Sequence, residues 1–139
     1  MSFLLDTNAV SEWVKPRPDP GLMKWLESAD EDRIFISVVT LAELRYGAER
    51  LPAGKRRQQL ERWLQEELPL RFEGRILQID VQIADAWGRT IARSEGVGHP
   101  MGVIEAFLSA TAEVNHLILI TRNTSDFPLL KTILNPWTN

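Results

Sequence analysis

The chain has 139 residues, of which 44% are hydrophobic and 25% charged, as in an ordinary globular domain. It contains no cysteine, which excludes a disulfide framework, a zinc–thiolate site and a thiol nucleophile. The formal net charge of −3 gives no general attraction for nucleic acid, so binding of RNA or DNA would need a local basic patch or a bound cation.

The sequence predicts one domain that covers residues 1–139, because it shows neither internal repeats nor a shift in composition. No apolar run approaches the roughly 18 residues of a membrane span, and the N-terminus lacks the basic flank of a signal peptide. We therefore expect a cytoplasmic protein without membrane attachment.

The first strand and helix are predicted at the N-terminus. The apolar run Phe3–Leu5 is typical of a buried strand. Either Thr7 or Asn8 is then expected to cap a short helix that ends at Trp13. Several prolines separate this helix from the next, which is predicted to begin at Pro20 because proline suits the first helical turn.

A second strand and two further helices are predicted next. Residues 34–36 form an apolar run, and Ser37 is expected to cap a helix that extends to about Leu51. Four later apolar residues at helical spacing predict another helix, whose basic flank lies outside the core. They are Leu60, Trp63, Leu64 and Leu68.

The second half continues the alternation of strands and helices. A short strand is predicted at Ile76–Ile79 and a strongly apolar one at Leu117–Ile120. Between them, a helix from Ile83 is expected to have an inner face of Ala84, Trp87, Gly88 and Ile91. A second helix is predicted at Val103–Val114, after the start signals Pro100 and Gly102. This order predicts an α/β fold with a mainly parallel sheet and helices on both faces.

Four carboxylates stand where predicted elements begin, bend or end. They are Asp6, Glu43, Glu105 and Asp126. Each alone has an ordinary explanation as a cap, a surface helix residue, a charge near a helix N-terminus or a turn former. Glu43 is the hardest to explain in this way, because its turn is largely apolar and an unpaired buried charge is costly. Together the four acids favour a cleft.

The carboxyl ends of parallel strands lie at one edge of a sheet, so Asp6 and the loop that follows Ile120 are expected to be neighbours. Several carboxylates without cysteine favour a hard cation, Mg²⁺ or Mn²⁺. Such a cation allows an acidic site to bind a polyanion and activates water for hydrolysis of a phosphodiester bond. Metal-dependent phosphodiester hydrolysis is therefore the predicted chemistry.

Motifs spread over nearly the whole chain resemble those of the PIN-domain ribonucleases. They are LLDTN, ISVVTLAELRYG, IEAFLSATA after a proline-containing loop, LILITRNTSDF, and NPW near the C-terminus. The resemblance is strongest to the VapC-like toxins of toxin–antitoxin pairs and their FitB-like relatives. It implies a PIN fold and an endoribonuclease that depends on Mg²⁺ or Mn²⁺.

The resemblance also implies which residues form the site. The family's acids correspond to Asp6, Glu43 and Glu105, with a fourth at Asn123 or at Asp126. Expected supporting or substrate-orienting residues are Thr7, Asn8, Thr40, Thr121 and Asn123. Position 105 usually carries Asp, and the extra methylene of Glu moves its oxygens by about 1.5 Å unless the chain folds back. We expect this to weaken Mg²⁺ binding more than Mn²⁺ binding.

The resemblance implies a small, DNA-binding, VapB-like antitoxin and a homodimer as partners, beside the RNA substrate. A groove for the antitoxin is expected at apolar residues of the early helices. These residues are Trp13, Leu22, Trp25, Leu44 and Leu51. The basic residues Lys55, Arg56, Arg57 and Arg62 are either an RNA-binding patch or, in the favoured interpretation, a solvated helix face.

Other classes of function fit less well. A haloacid-dehalogenase-type phosphatase needs an acid where Asn8 stands, and a receiver domain needs Lys where Arg122 follows its strand. His99 and His116 lack a paired histidine and are expected at the surface. The main alternative is a PIN-fold module that binds RNA or protein with little or no cleavage.

Overall fold

A sheet of five parallel strands lies at the centre of the structure, a computed structural model in which residues 1–138 are described. The strands are β1 (Ser2–Leu5), β2 (Ile34–Ser37), β3 (Ile76–Leu77), β4 (Leu117–Ile120) and β5 (Ile133–Leu134). Their order across the sheet is β3-β2-β1-β4-β5, so β1 has a neighbour on each side. The prediction of a parallel sheet is confirmed.

Helices connect these strands and cover both faces of the sheet. They are α1 (Thr7–Trp13), α2 (Pro20–Ser28), α3 (Val38–Glu49), α4 (Lys55–Arg62), α5 (Leu68–Arg71), α6 (Val81–Gly96) and α7 (Val103–Val114). A π-helical turn, Trp63–Glu67, joins α4 to α5, and single 3-10 turns lie at Glu31–Arg33 and Thr124–Asp126.

The alternation of side chains along the strands divides the core between the two faces. Leu5 and Ile120 contribute to the cluster that packs under α1 to α5. Leu4 and Leu119 point the other way and pack with Leu108 of α7. Helix α6 then packs on the outer side of α7 through a smaller cluster around Ile83. Both faces of β1 and β4 are therefore buried, as their apolar sequences predict.

Several predicted helix boundaries are confirmed by cap geometry. The Ser37 hydroxyl accepts a hydrogen bond from the backbone N–H of Val39 at the start of α3. Pro20 is the first residue of α2. The predicted cap of α1 is wrong, since Asp6 occupies the cap position and its side chain makes no capping hydrogen bond. The carboxylate of Asp6 is thus available for another role.

Three features of the fold differ from the prediction. On the predicted inner face of α6, Trp87 and Ile91 are half-buried, whereas Ala84 and Gly88 are exposed. The buried residues of α6 include Ile83, Ala86 and Thr90. The long predicted helix at Leu60–Leu68 is interrupted by the π-helical turn. Strand β5 was not predicted, because two residues are too short to show a strand periodicity. No helix formed by residues 1–138 is both long and apolar enough to cross a lipid bilayer.

The C-terminal segment is fastened to the start of α2. The side chain of Trp137 is buried in the larger core cluster. The backbone N–H of Thr138 donates to Asp19 at 3.0 Å, and its hydroxyl accepts from the backbone N–H of Gly21 at 2.9 Å. A Cβ atom on Gly21 would lie 2.5 Å from the backbone oxygen of Pro136. Glycine is therefore required here by close backbone approach.

Gly21→Ala should lower the free energy of unfolding by about 1–3 kcal/mol, because the C-terminal backbone must shift to admit a methyl group. Urea unfolding measured by circular dichroism tests this. The matched control is Gly96→Ala at the end of α6, where a Cβ has open space and should not destabilise the protein. Equal stability of Gly21→Ala and wild type would contradict the argument.

Candidate active site

Asp6 lies at the carboxyl end of β1, in the middle of the sheet. Its backbone N–H donates to the carbonyl oxygen of Ile120 at 2.9 Å, which extends the pairing of β1 with β4 by one residue. Asp6 is only 7% exposed. The parallel pairing thus fixes a buried carboxylate where two central strands end, at the edge where open α/β sheets bind ligands.

Thr121, the first residue after β4, links Asp6 to the loop that follows. Its hydroxyl donates to the Asp6 carboxylate at 2.6 Å and accepts from the backbone N–H of Asn123 at 3.1 Å. Thr121 itself is fully buried. The predicted proximity of Asp6 to this loop is confirmed, although the two residues of the hydrogen bond are 115 positions apart in sequence.

Glu43 of α3 is held beside Asp6 by hydroxyl groups. The hydroxyl of Thr7 donates to Glu43 at 2.5 Å and lies 3.1 Å from the hydroxyl of Thr40. Because the single proton of Thr7 is directed to Glu43, Thr40 donates to Thr7. Thr7 and Thr40 therefore orient Glu43, as Thr121 orients Asp6. Asn8 is exposed at the surface.

The electrostatics of the pair are unfavourable without a cation. Burial raises the pKa of Asp6 above its usual value, and repulsion from Glu43 raises it further. The hydrogen bond from Thr121 and the backbone N–H groups of Thr7 and Asn8 oppose this increase in the pKa. The net pKa of Asp6 is still raised, so the ionised pair destabilises the metal-free fold.

The other two predicted acids lie around a different cavity. Glu105 and Asp126 line a space of about 380 Å³ together with His99, which is exposed as expected. The Glu105 carboxylate folds back onto Gly102 at the start of its own helix. Among residues 1–138, no three carboxylate or imidazole side chains are close enough to one another to hold a metal ion. The structure thus brings Asp6 and Glu43 together, whereas Glu105 and Asp126 line a second cavity and, among these residues, complete no three-acid cluster with the pair.

The donor set of the Asp6–Glu43 pair fits a hard divalent cation. Both side chains offer oxygen atoms, and a buried, repelled carboxylate is stabilised by a nearby positive charge. Mg²⁺ commonly takes one or two protein carboxylates and completes its shell with water and substrate phosphate. Two carboxylates are therefore sufficient to begin such a site.

A cavity of about 530 Å³ opens beside Glu43, between α1, α3 and the α4–π-helical segment. Its apolar wall includes Leu44, Leu60 and Trp63, and its charged residues include Lys15 and Arg56. The sequence did not predict this combination, because helical periodicity identifies the inner face of each helix but not the space left between helices. The cavity is large enough to admit the side chains of a bound peptide or nucleotide.

Only some of the residues predicted to line an apolar groove lie at a cavity. Leu44 lines the 530 Å³ cavity, and Trp13 lines an adjacent one of about 230 Å³. The prediction for Leu22 is wrong, since Leu22 is fully buried in the core beneath α2. Trp25 packs edge-on against Phe3, with ring centroids 4.9 Å apart. The groove residues are therefore those of α1, α3 and α4 rather than of α2.

The basic residues of α4 also differ in their surroundings. Arg57 forms ion pairs with Glu49 at 2.5 Å and with Glu61 at 3.1 Å, and so joins α4 to α3. Arg56, in contrast, lines the cavity beside Glu43. The half-buried Arg57 thus has a structural role, whereas the exposed Arg56 has a position from which it could contact a ligand.

The fold and the acid pair together define an α/β domain with an acidic centre at the carboxyl edge of a parallel sheet. Residues 3–130 match the family model described as the PIN domain. The chain belongs to the PIN-domain family, and its fold is the PIN fold.

Three comparisons place the chain within this family. It is 33% identical over 136 residues to the VapC ribonuclease Y4jK of Sinorhizobium fredii, covering 97% of each chain. It is 35% identical over 137 residues to the toxin FitB of Neisseria gonorrhoeae, covering 97% of this chain and 98% of FitB. The solved structure of FitAB bound to an IR36 DNA fragment superposes with a TM-score of 0.91 at 29% identity, over 99% of this chain and 96% of that one.

Asp6→Asn should stabilise the metal-free protein at neutral pH. The folded-state pKa of Asp6 is raised, so folding favours the protonated form and stability falls as the pH rises through that pKa. Asn cannot ionise, so it removes this loss of stability, and its side-chain oxygen still accepts the hydrogen bond from Thr121. We expect the melting temperature in EDTA to rise by about 3 °C, the shift that roughly 1 kcal/mol produces in a domain of this size.

The increase in melting temperature should disappear at low pH, because Asp6 of the wild type is itself protonated there. Asp85→Asn is the control, because Asp85 is exposed on α6 in a surface ion pair with Arg89 and its loss should change little. A lower melting temperature of Asp6→Asn than of wild type at pH 7 would show that the ionised carboxylate is stabilising.

Proposed function

We propose that this protein is an endoribonuclease that requires Mg²⁺ or Mn²⁺ and acts as a VapC-like toxin. The observation that carries the proposal is the buried carboxylate of Asp6 beside Glu43, at the carboxyl edge of the sheet. The similarity to a protein named VapC ribonuclease and to the toxin FitB supports the choice of RNA as substrate and of toxicity as the role.

Asp6 and Glu43 would hold the cation, with Glu105 and Asp126 as further acids that would need to move toward it. A bound divalent cation supplies positive charge for the phosphate and activates water for its attack on phosphorus. The hydroxyls of Thr7 and Thr121 hold the two carboxylates in place, so less reorganisation is needed when substrate binds. Asn123, whose backbone N–H donates to Thr121, would orient the RNA.

Asp6→Asn and Glu43→Gln should each reduce the cleavage of purified total RNA by at least about 100-fold, because each removes a charge needed to hold the cation. Cleavage would be measured with Mg²⁺, with Mn²⁺ and with excess EDTA. The control is Glu95→Gln, which changes an exposed carboxylate on α6 and should keep full activity.

Full cleavage by Asp6→Asn, or by wild type in EDTA, would contradict the metal-dependent mechanism. Absence of cleavage by the wild type with either metal would favour the alternative, a PIN-fold module that binds without cutting. That alternative has one structural observation in its favour: the Glu105 carboxylate folds back onto Gly102 and, within residues 1–138, forms no three-acid cluster with Asp6 and Glu43.

We further propose that a small DNA-binding antitoxin of the VapB type neutralises the protein by occupying the 530 Å³ cavity. The cavity combines an apolar wall with Glu43 at one side, so a peptide with apolar residues and one basic residue would match it. The similarity to FitAB on DNA supports a partner of this kind. We also propose that the protein forms a homodimer and is located in the cytoplasm. Light scattering of the purified protein tests the dimer.

Gly47→Phe should prevent neutralisation without disturbing the fold. Gly47 lies on the wall of the cavity, and a Cβ there meets no atom within 4 Å. The new ring would therefore occupy the cavity rather than the core. Cells that make Gly47→Phe should stop growing and stay arrested when a cognate antitoxin is also expressed.

Gly88→Phe is the matched control, because Gly88 is also a mid-helix glycine with open space around it but lies on α6. Its toxicity should be neutralised like that of wild type, whereas Glu43→Gln should not arrest growth at all. If the antitoxin rescues cells with Gly47→Phe as well as it rescues wild type, the partner binds elsewhere.

A further inference from the structure

At the start of α7, the side chain of Glu105 fills the space in which a Cβ atom of residue 102 would lie. Gly102 is the cap residue, and Glu105 is the third residue of the helix. A Cβ atom built on Gly102 would lie 1.9 Å from Oε1 of Glu105. The three nearest neighbours of that Cβ are all atoms of the Glu105 carboxyl group, at 1.9, 3.2 and 3.9 Å. The side chain of Glu105 thus fills the position that any other residue at 102 would need.

This folded-back position is favourable for a carboxylate. An acid in the first turn interacts favourably with the positive end of the helix dipole. In this position the carboxylate does not join Asp6 and Glu43, since residues 1–138 contain no cluster of three acids suited to a metal ion. Glu105 would have to leave Gly102 before it could meet them.

We propose that Gly102 is a positioning residue that holds Glu105 in a resting place away from the metal-binding pair. The empty Cβ position of glycine creates the resting place, and the extra methylene of Glu lets its carboxylate reach it. Binding of a divalent cation then competes with this interaction. The inference rests on the proposed function, because it requires Glu105 to approach the ion held by Asp6 and Glu43.

Gly102→Ala isolates this effect. The backbone of Gly102 has φ −66° and ψ 156°, an extended conformation open to alanine without strain. The atom that alanine would displace is the end of a flexible side chain rather than backbone. Substitution should therefore move the Glu105 carboxylate and leave α7 in place, which circular dichroism and the melting temperature would verify.

The experiment is a calorimetric titration of Mn²⁺ into the full chain without RNA. Four proteins are compared: wild type, Gly102→Ala, Glu105→Ala, and the double variant. We expect Gly102→Ala to bind Mn²⁺ about two- to fivefold more tightly than wild type, the factor that corresponds to losing a carboxylate–helix dipole interaction. In the Glu105→Ala background the same substitution should change the affinity by less than the error of the titration.

The inference is overturned if Gly102→Ala leaves the affinity for Mn²⁺ unchanged or weakens it. It is also overturned if Gly102→Ala changes the affinity equally with Glu105 and with Ala at position 105, because such a change would come from the helix cap. Neither result affects the proposed function if wild type binds Mn²⁺ and Asp6→Asn does not. Failure of wild type itself to bind Mn²⁺ overturns both. RNA cleavage measured on the same proteins then shows whether release of Glu105 also changes turnover.

Discussion

The parallel pairing of β1 with β4 is the constraint on which the candidate site depends. It aligns Leu5 with Ile120 and continues through the backbone bond from Asp6 to Ile120. Asp6 and Thr121 therefore emerge side by side, although they come from opposite ends of the chain. Helix packing on both faces of the two strands keeps this edge rigid and leaves the Asp6 carboxylate buried.

A site built in this way has an electrostatic cost. Burial and the charge of Glu43 both raise the pKa of Asp6, and only neutral donors offset them in the metal-free protein. The threonine hydroxyls provide hydrogen bonds without cancelling the negative charge. The residual charge is what would attract a cation, so the same feature that destabilises the fold locally supports the proposed chemistry.

The strand-end residues could be predicted from sequence because the apolar runs of β1 and β4 are each followed directly by a polar residue. Asp6 and Thr121 follow such runs directly and lie in the predicted places. The position of Glu105 could not be predicted in this way, since it depends on a side-chain rotamer and on the empty space at Gly102. The face of α6 was misjudged by about one position, because the short apolar residue Ala84 gives a weak periodic signal and is in fact exposed.

Glu43 connects the two halves of the proposed function. It belongs to the acid pair through Thr7 and also lines the 530 Å³ cavity. A partner that fills the cavity and pairs with Glu43 would remove a carboxylate from the cation site and block the space beside it at once. Neutralisation would then need no change in the sheet, because the carboxylate proposed to hold the cation would itself be part of the binding surface. The open position of Glu43 on α3, rather than the buried position of Asp6, makes this possible.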